Sequence, residues 1–229
     1  MMRVRIVAMS IAWLAISPSV ISAQDLSTYR DFQLGMSLAA VARQAGITSE
    51  ARVLHQRPEL IQELMWQPPR GLGPPPSGDS ARKLLFSFYN GELFRIVINY
   101  DWDKTEGLTV EDMVEAVSAT YGQAMLPTLP ATPILALSKV YVDSDRIMAH
   151  WEDAQSSVDL FQPAYAPTFG LIVFSKRLDA LAQSASVEAV RLDAQDAPKR
   201  AIDRRQKQED EDHARQQKAR LVNKAIFRP

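Results

Sequence analysis

The stretch "KLLFSFYNGELFRIVINYD", residues 83–101, constrains the fold more than any other, because two apolar runs meet at Asn90 and Gly91. A turn of that composition folds a chain back on itself as an antiparallel hairpin. The register then decides which side chains share a face, since a slip of one residue sends each of them to the opposite side. A two-residue turn at Asn90 and Gly91 sets Phe86 opposite Arg95. A three-residue loop, 89–91, pairs Phe86 with Phe94 and Leu84 with Ile96 instead. This second register is the expected one. It collects Leu84, Phe86, Phe88, Phe94, Ile96, Ile98 and Tyr100 on one face and leaves Lys83, Ser87, Arg95 and Asn99 on the other.

A helix is expected on each side of that hairpin. In "GMSLAAVARQAG", residues 35–46, Ser37 is placed to cap, Leu38, Val41, Ala42 and Ala45 recur at helical spacing, and Gly46 closes the last turn. In "GLTVEDMVEAVSATYG", residues 107–122, Thr109 and Asp112 form a capping box ahead of the stripe Val110, Met113, Val114, Val117 and Tyr121. Gly-Met-Ser has returned as Gly-Leu-Thr, 72 residues on.

An internal repeat predicts the same elements after each helix. Residues 59–67 read as a strand, the Pro- and Gly-rich segment 68–80 as a loop, and 83–101 as two more strands. After the second helix and the Pro-rich link 126–133, strands are expected at 146–152, 156–162 and 168–175. The fold class is therefore α+β: two units, each one helix plus a three-stranded antiparallel meander, followed by a long C-terminal helical segment.

From Lys176 the apolar period is helical again, through Leu178, Leu181, Ala182, Ala185, Ala189 and Leu192, with Pro198 as a stop or kink. Residues 199–224 carry 14 charged side chains in 26. Spacings such as Asp203 to Lys207 and Glu211 to Arg215 allow i,i+4 pairs in a solvated, coiled-coil-like helix. The closing apolar group Leu221, Val222, Ile226 and Phe227 is expected to dock on the body.

The N-terminus reads as a secretory signal peptide: Arg3 and Arg5, an apolar run over 6–21 interrupted by Pro18, then Ser22 and Ala23. Cleavage after Ala23 is expected, and the run is short for a membrane span. Segments then follow at 24–125, 126–133, 134–197 and 198–229. The full chain has 26 basic and 27 acidic side chains. Cleavage leaves 24 against 27, and a net charge of −3 gives no basic footprint for nucleic acid. Without cysteine there is no disulfide, thiolate site or lipidated N-terminal Cys. The expected compartment is periplasmic or secreted, with an envelope protein as partner, no cofactor and no membrane span after cleavage.

Chemistry-bearing residues are few. His150 and Glu152 alternate along an expected strand and share a face opposite Ile147, Ala149 and Trp151. With Asp153 and Asp101 they are the candidates for a periplasmic hydrolase. Ser156 and Ser157 lie beside acids but lack a nucleophile elbow. Asp101, Asp103, Thr105 and Asp112 fall at oxygen-ligand positions of a calcium loop, although Glu106 stands where that loop needs glycine. The bland alternative is an acidic turn feeding the Thr109 cap.

The Gly-Met-Ser helix followed by a meander, present twice over residues 30–175, resembles the tandem architecture of the β-lactamase-inhibitor-protein-like group. The first copy is also similar to the helix opening of the small outer-membrane assembly lipoproteins. This chain lacks the paired cysteines of the former and the lipid-bearing cysteine of the latter, so neither activity carries over. The resemblance implies a binding surface made by two sheets side by side, without an active centre. The expected function is thus that of an exported, non-enzymatic binding or envelope-associated protein; a hydrolase or a calcium-stabilised binding protein is the alternative.

Overall fold

The computed structural model describes residues 25–68, 80–126, 146–164, 166–226 and 228. The expected signal peptide, most of the 68–80 segment and most of the Pro-rich link lie outside them. The chain folds as α+β around one seven-stranded antiparallel sheet, ordered β3-β4-β5-β6-β9-β8-β7. Its strands are β3 (Arg52–His55), β4 (Ile61–Trp66), β5 (Ala81–Tyr89), β6 (Glu92–Tyr100), β7 (Arg146–Glu152), β8 (Ser156–Gln162) and β9 (Gly170–Ser175). A small hairpin, β1 (Thr28–Tyr29) and β2 (Phe32–Gln33), precedes helix α1 (Leu38–Gln44). The one-turn α2 (Trp102–Thr105) and α3 (Val110–Tyr121) separate the two runs of strands.

Both short helices start as their sequences dictate. The Ser37 hydroxyl accepts from the Ala40 amide at 3.3 Å. At α3 the Thr109 hydroxyl accepts from the Asp112 amide, while the Asp112 carboxylate accepts from the Thr109 amide at 2.8 Å. The first meander is one strand longer than expected, since β3 joins it through β4. The echo between the two helix openings is also incomplete. Gly35, Met36 and Leu38 exchange backbone hydrogen bonds with the Gly91–Leu93 turn, whereas the Leu108 amide bonds locally to the Thr105 carbonyl.

The two meanders meet at β6 and β9, the last strand of each. Val97 faces Ile172 there, with Ile96 on Val173 and Ile98 on Leu171 to either side. Close approach at this seam requires Gly170: a Cβ on it would lie 2.2 Å from the Phe161 ring and 2.8 Å from the Ile98 carbonyl oxygen.

The hairpin register differs from both alternatives. The turn has two residues, with Tyr89 facing Glu92, but a bulge beyond it brings Ser87 to Arg95, Phe86 to Ile96 and Leu84 to Ile98. A bulge puts two residues opposite one. Leu93 consequently takes the place expected for Phe94 on the main core face, and Phe94 packs with Ile61, Leu178, Ala182 and Ala185 on the other. That second face is not a polar outer surface. Leu85, Val97 and Ile172 are buried on it, and so are Ser87 and Arg95.

The main core lies between the sheet and the α1/α3 layer. One register row across it reads Leu64, Phe86, Ile96, Val173, Val158 and Trp151, all buried. Helix α4 (Lys176–Ile226) lies against the opposite face with Leu178, Ala182, Ala185 and Ala189. Leu181, expected in that stripe, is 41% exposed, and Asp179 is buried in its stead.

Pro198 does not stop α4, which runs unbroken through it. Proline removes one helical N–H bond. Near this turn the Arg200 guanidinium donates to the Asp193 carbonyl at 2.6 Å and to its carboxylate at 3.0 Å, bracing the helix from outside. Further along, the ion pairs are Lys207–Glu211 and Arg215–Asp212, not the expected ones. Every residue of α4 from 197 to 226 is exposed. Leu221, Val222 and Ile226 are 73%, 55% and 68% exposed, so the expected docking on the body does not occur; Phe227 lies outside the described residues.

Candidate functional site

His150 was the sharpest candidate, and its surroundings are built by the β7–β8 hairpin. The turn is set by Asp153, whose Oδ1 accepts from the amides of Gln155 at 2.7 Å and Ser156 at 2.6 Å. Glu152 then faces Ser157, and His150 faces Asp159 directly across the ladder. Asp153 is thereby committed to the turn and is no partner of the imidazole.

His150 Nδ1 donates to Asp159 Oδ1, and Glu152 Oε2 lies 3.4 Å from Nε2. The Asp159 hydrogen bond is the main influence raising the His150 pKa above its ordinary value. Lys176, the first residue of α4, donates through Nζ to Glu152 and, at 2.7 Å, to the Asp153 carbonyl, and it holds the Glu152 carboxyl below its usual range. Lys176, His150, Glu152 and Asp159 close this cluster. It pins the start of α4 to the β7–β8 hairpin.

Ser157 completes a superficial likeness to a Ser-His-Asp triad, and the geometry denies it. Its Oγ is 3.5 Å from Nδ1 and 3.4 Å from Nε2, and a group equidistant from both nitrogens lies along neither lone pair. The hydroxyl donates instead to the Trp151 carbonyl at 3.4 Å, and Ser157 is 1% exposed. Nδ1 is engaged by Asp159 and Nε2 faces Glu152 at 3.4 Å, so neither ring nitrogen is aimed at the Ser157 hydroxyl.

Ile147 is displaced from its expected face. A bulge at Met148 brings Ile147 opposite Phe161 and Ala149 opposite Leu160, so Ile147 packs on the α4 side with Phe161 and Ile172. Ala149 and Trp151 do face the main core, opposite His150.

The calcium-loop residues go to separate tasks. Asp101 precedes α2, whose Thr105 hydroxyl donates to the Asp101 carbonyl at 3.0 Å. Asp112 belongs to the α3 capping box and Asp103 to the first turn of α2. Among the described residues no three His, Asp or Glu side chains converge as a metal-binding group.

A second site was not visible in the sequence. Between the β1–β2 hairpin, α2, α3 and the sheet lies a cleft of about 460 Å³. Tyr29, Tyr100 and Tyr121 wall it, Met113, Val117 and Leu171 are buried in its lining, and Arg30 and Lys104 stand exposed at it. Burial raises the Tyr100 and Tyr121 hydroxyls well above the ordinary phenol range, so both stay protonated. Tyr121 Oη donates to the Thr28 carbonyl at 2.8 Å, tying α3 to the hairpin. Tyr100 and Tyr121 lie in segments the sequence assigns to strand and helix; only the tertiary fold brings Tyr29, Arg30 and Lys104 to them.

Fold and sites together define an α+β protein in which a seven-stranded antiparallel sheet carries helices on both faces and one helix extends beyond the body. No protein-family model, curated protein or solved structure matches the chain.

Proposed function

We propose that this is an exported, non-enzymatic binding protein of the cell envelope that reaches a protein partner through the distal half of α4. The observation that carries this reading is the thirty-residue exposed run from 197 to 226, which at 1.5 Å per residue extends about 45 Å. Isolated polar helices are marginal in water, and a helix of this length with apolar Leu221, Val222 and Ile226 at its far end is suited to completion by a partner. Nine basic side chains against five acidic ones between 197 and 226 suit a partner surface with acidic character.

The hydrolase reading has less support, because Ser157 is buried and not aligned on either ring nitrogen of His150. Export rests on the N-terminal sequence, and among the described residues no helix is long and apolar enough to cross a membrane.

Two measurements test the proposal. Intact mass of the protein recovered from the envelope fraction should correspond to a chain beginning at Gln24. Affinity capture with that chain, and with one ending at Asp196, should retain a partner on the first only. Identical capture by both forms, or retention of the N-terminal 23 residues, would overturn it.

A further inference from the structure

We propose that the cleft between α2, α3 and the β1–β2 hairpin binds a small anion with an apolar body, such as a medium-chain or aromatic carboxylate. Ligand sites are mostly apolar concavities of roughly 300–1,000 Å³ with a few well-placed polar groups, and this one has about 460 Å³. Both charged side chains lining it, Arg30 and Lys104, are cationic, and no described acidic side chain lines it. That bias runs against a chain whose net charge is −1.

Arg30 is positioned by its neighbour, and Lys104 stands exposed on α2. Arg30 sits in the left-handed region at φ 54° with its guanidinium 5.0 Å from the Tyr29 ring centroid. Lys104 rides on α2, which the Thr105 hydroxyl fastens through the carbonyls of Asp101 and Trp102. The α3 wall is fixed at one end by the capping box and at the other by the Tyr121 bond to Thr28.

An uncharged apolar molecule would make no use of the two cations. A bare inorganic anion would leave Met113, Val117, Leu171 and the half-exposed Leu108 without contact. Only a ligand carrying both characters satisfies the whole lining, and pre-organised walls spare it the cost of ordering them. The site stands apart from the distal half of α4, so it does not depend on the partner proposed above.

The probe is 1-anilinonaphthalene-8-sulfonate, an anion with an apolar body, titrated by fluorescence into the purified folded chain. Saturable binding at one site is expected, with displacement by decanoate and much weaker displacement by decanol. Lys104→Glu should weaken binding tenfold or more, and Arg30→Asn, which tolerates the left-handed backbone, should weaken it several-fold. Ala116→Trp, at an exposed position lining the cleft, should abolish it with the far-UV circular dichroism and the urea midpoint unchanged. Competition by phosphatidylglycerol vesicles as well as by decanoate would assign the anion to lipid; competition by decanoate alone would assign it to a free solute. Non-saturable binding, equal competition by decanol, or unchanged affinity in Lys104→Glu and Ala116→Trp would overturn the proposal.

Discussion

Among the described residues Arg95 and Asp179 form the most deeply buried ion pair: both side chains are 6% exposed and the Arg95 Nε has no hydrogen-bond partner. Burial pushes the Asp179 carboxyl up against the pull of Arg95, while Gln183 donates to its other oxygen at 2.6 Å. Removing one member of a buried pair strands the other charge. Arg95→Met alone should therefore cost about 3–5 kcal/mol in urea unfolding, and adding Asp179→Leu should recover most of that loss. A double variant no more stable than the single one would count against this account. His150, whose pKa the Asp159 hydrogen bond raises, links stability to pH. Its raised folded pKa means that its stabilisation is complete below the unfolded value of about 6.5 and is lost as pH rises through the folded value. His150→Gln should lower the urea midpoint at pH 5.5 more than at pH 8.5, by less than about 1 kcal/mol because the ring is partly exposed. Equal losses at the two pH values would refute the linkage.

The β6–β9 seam is decided at the scale of elements. Gly170→Ala places a methyl against the Ile98 carbonyl and the Phe161 ring, and the backbone at Ile98 cannot yield as a flexible side chain would. A loss of about 1–3 kcal/mol is expected in thermal or urea unfolding, and an unchanged midpoint would show that the strands separate at little cost. The caps of α1 and α3, the strand at 59–67 and the reversal of the chain near Asn90 and Gly91 were legible because each has a local signature, but the turn has two residues where a three-residue loop, 89–91, was expected. The bulge at Leu93 and Phe94 was not. Choosing a register by gathering apolar residues on one face assumes that the other face meets water, and here α4 covers Phe94 while Leu85 and Val97 are buried on the same side. Asp159 was missed for a related reason. A loop of 153–155 would have set His150 opposite Val158, and only the Asp153 turn adds the residue that brings Asp159 into line. Tyr29, Arg30 and Lys104 had no signal at all, because nothing in their spacing places them around one cleft.

Across the whole molecule, burial ends near Asp196, which pairs with Arg57 of the β3–β4 loop and is held below its usual range by it. Ending the chain at Asp196 should leave the unfolding free energy of the body within about 0.5 kcal/mol of the parent, the range of surface changes. A larger drop would mean that the distal helix supports the body. The sheet order itself has a bearing on synthesis. Sequence neighbours pair within each half, but β6 finds β9 only after some seventy further residues have been made. Until then the newly formed first half presents nine largely apolar residues along an open edge, the kind of template that invites another chain to join it. The growing polypeptide is therefore most prone to aggregate midway through its own production, and the arrival of its final strand ends that exposure.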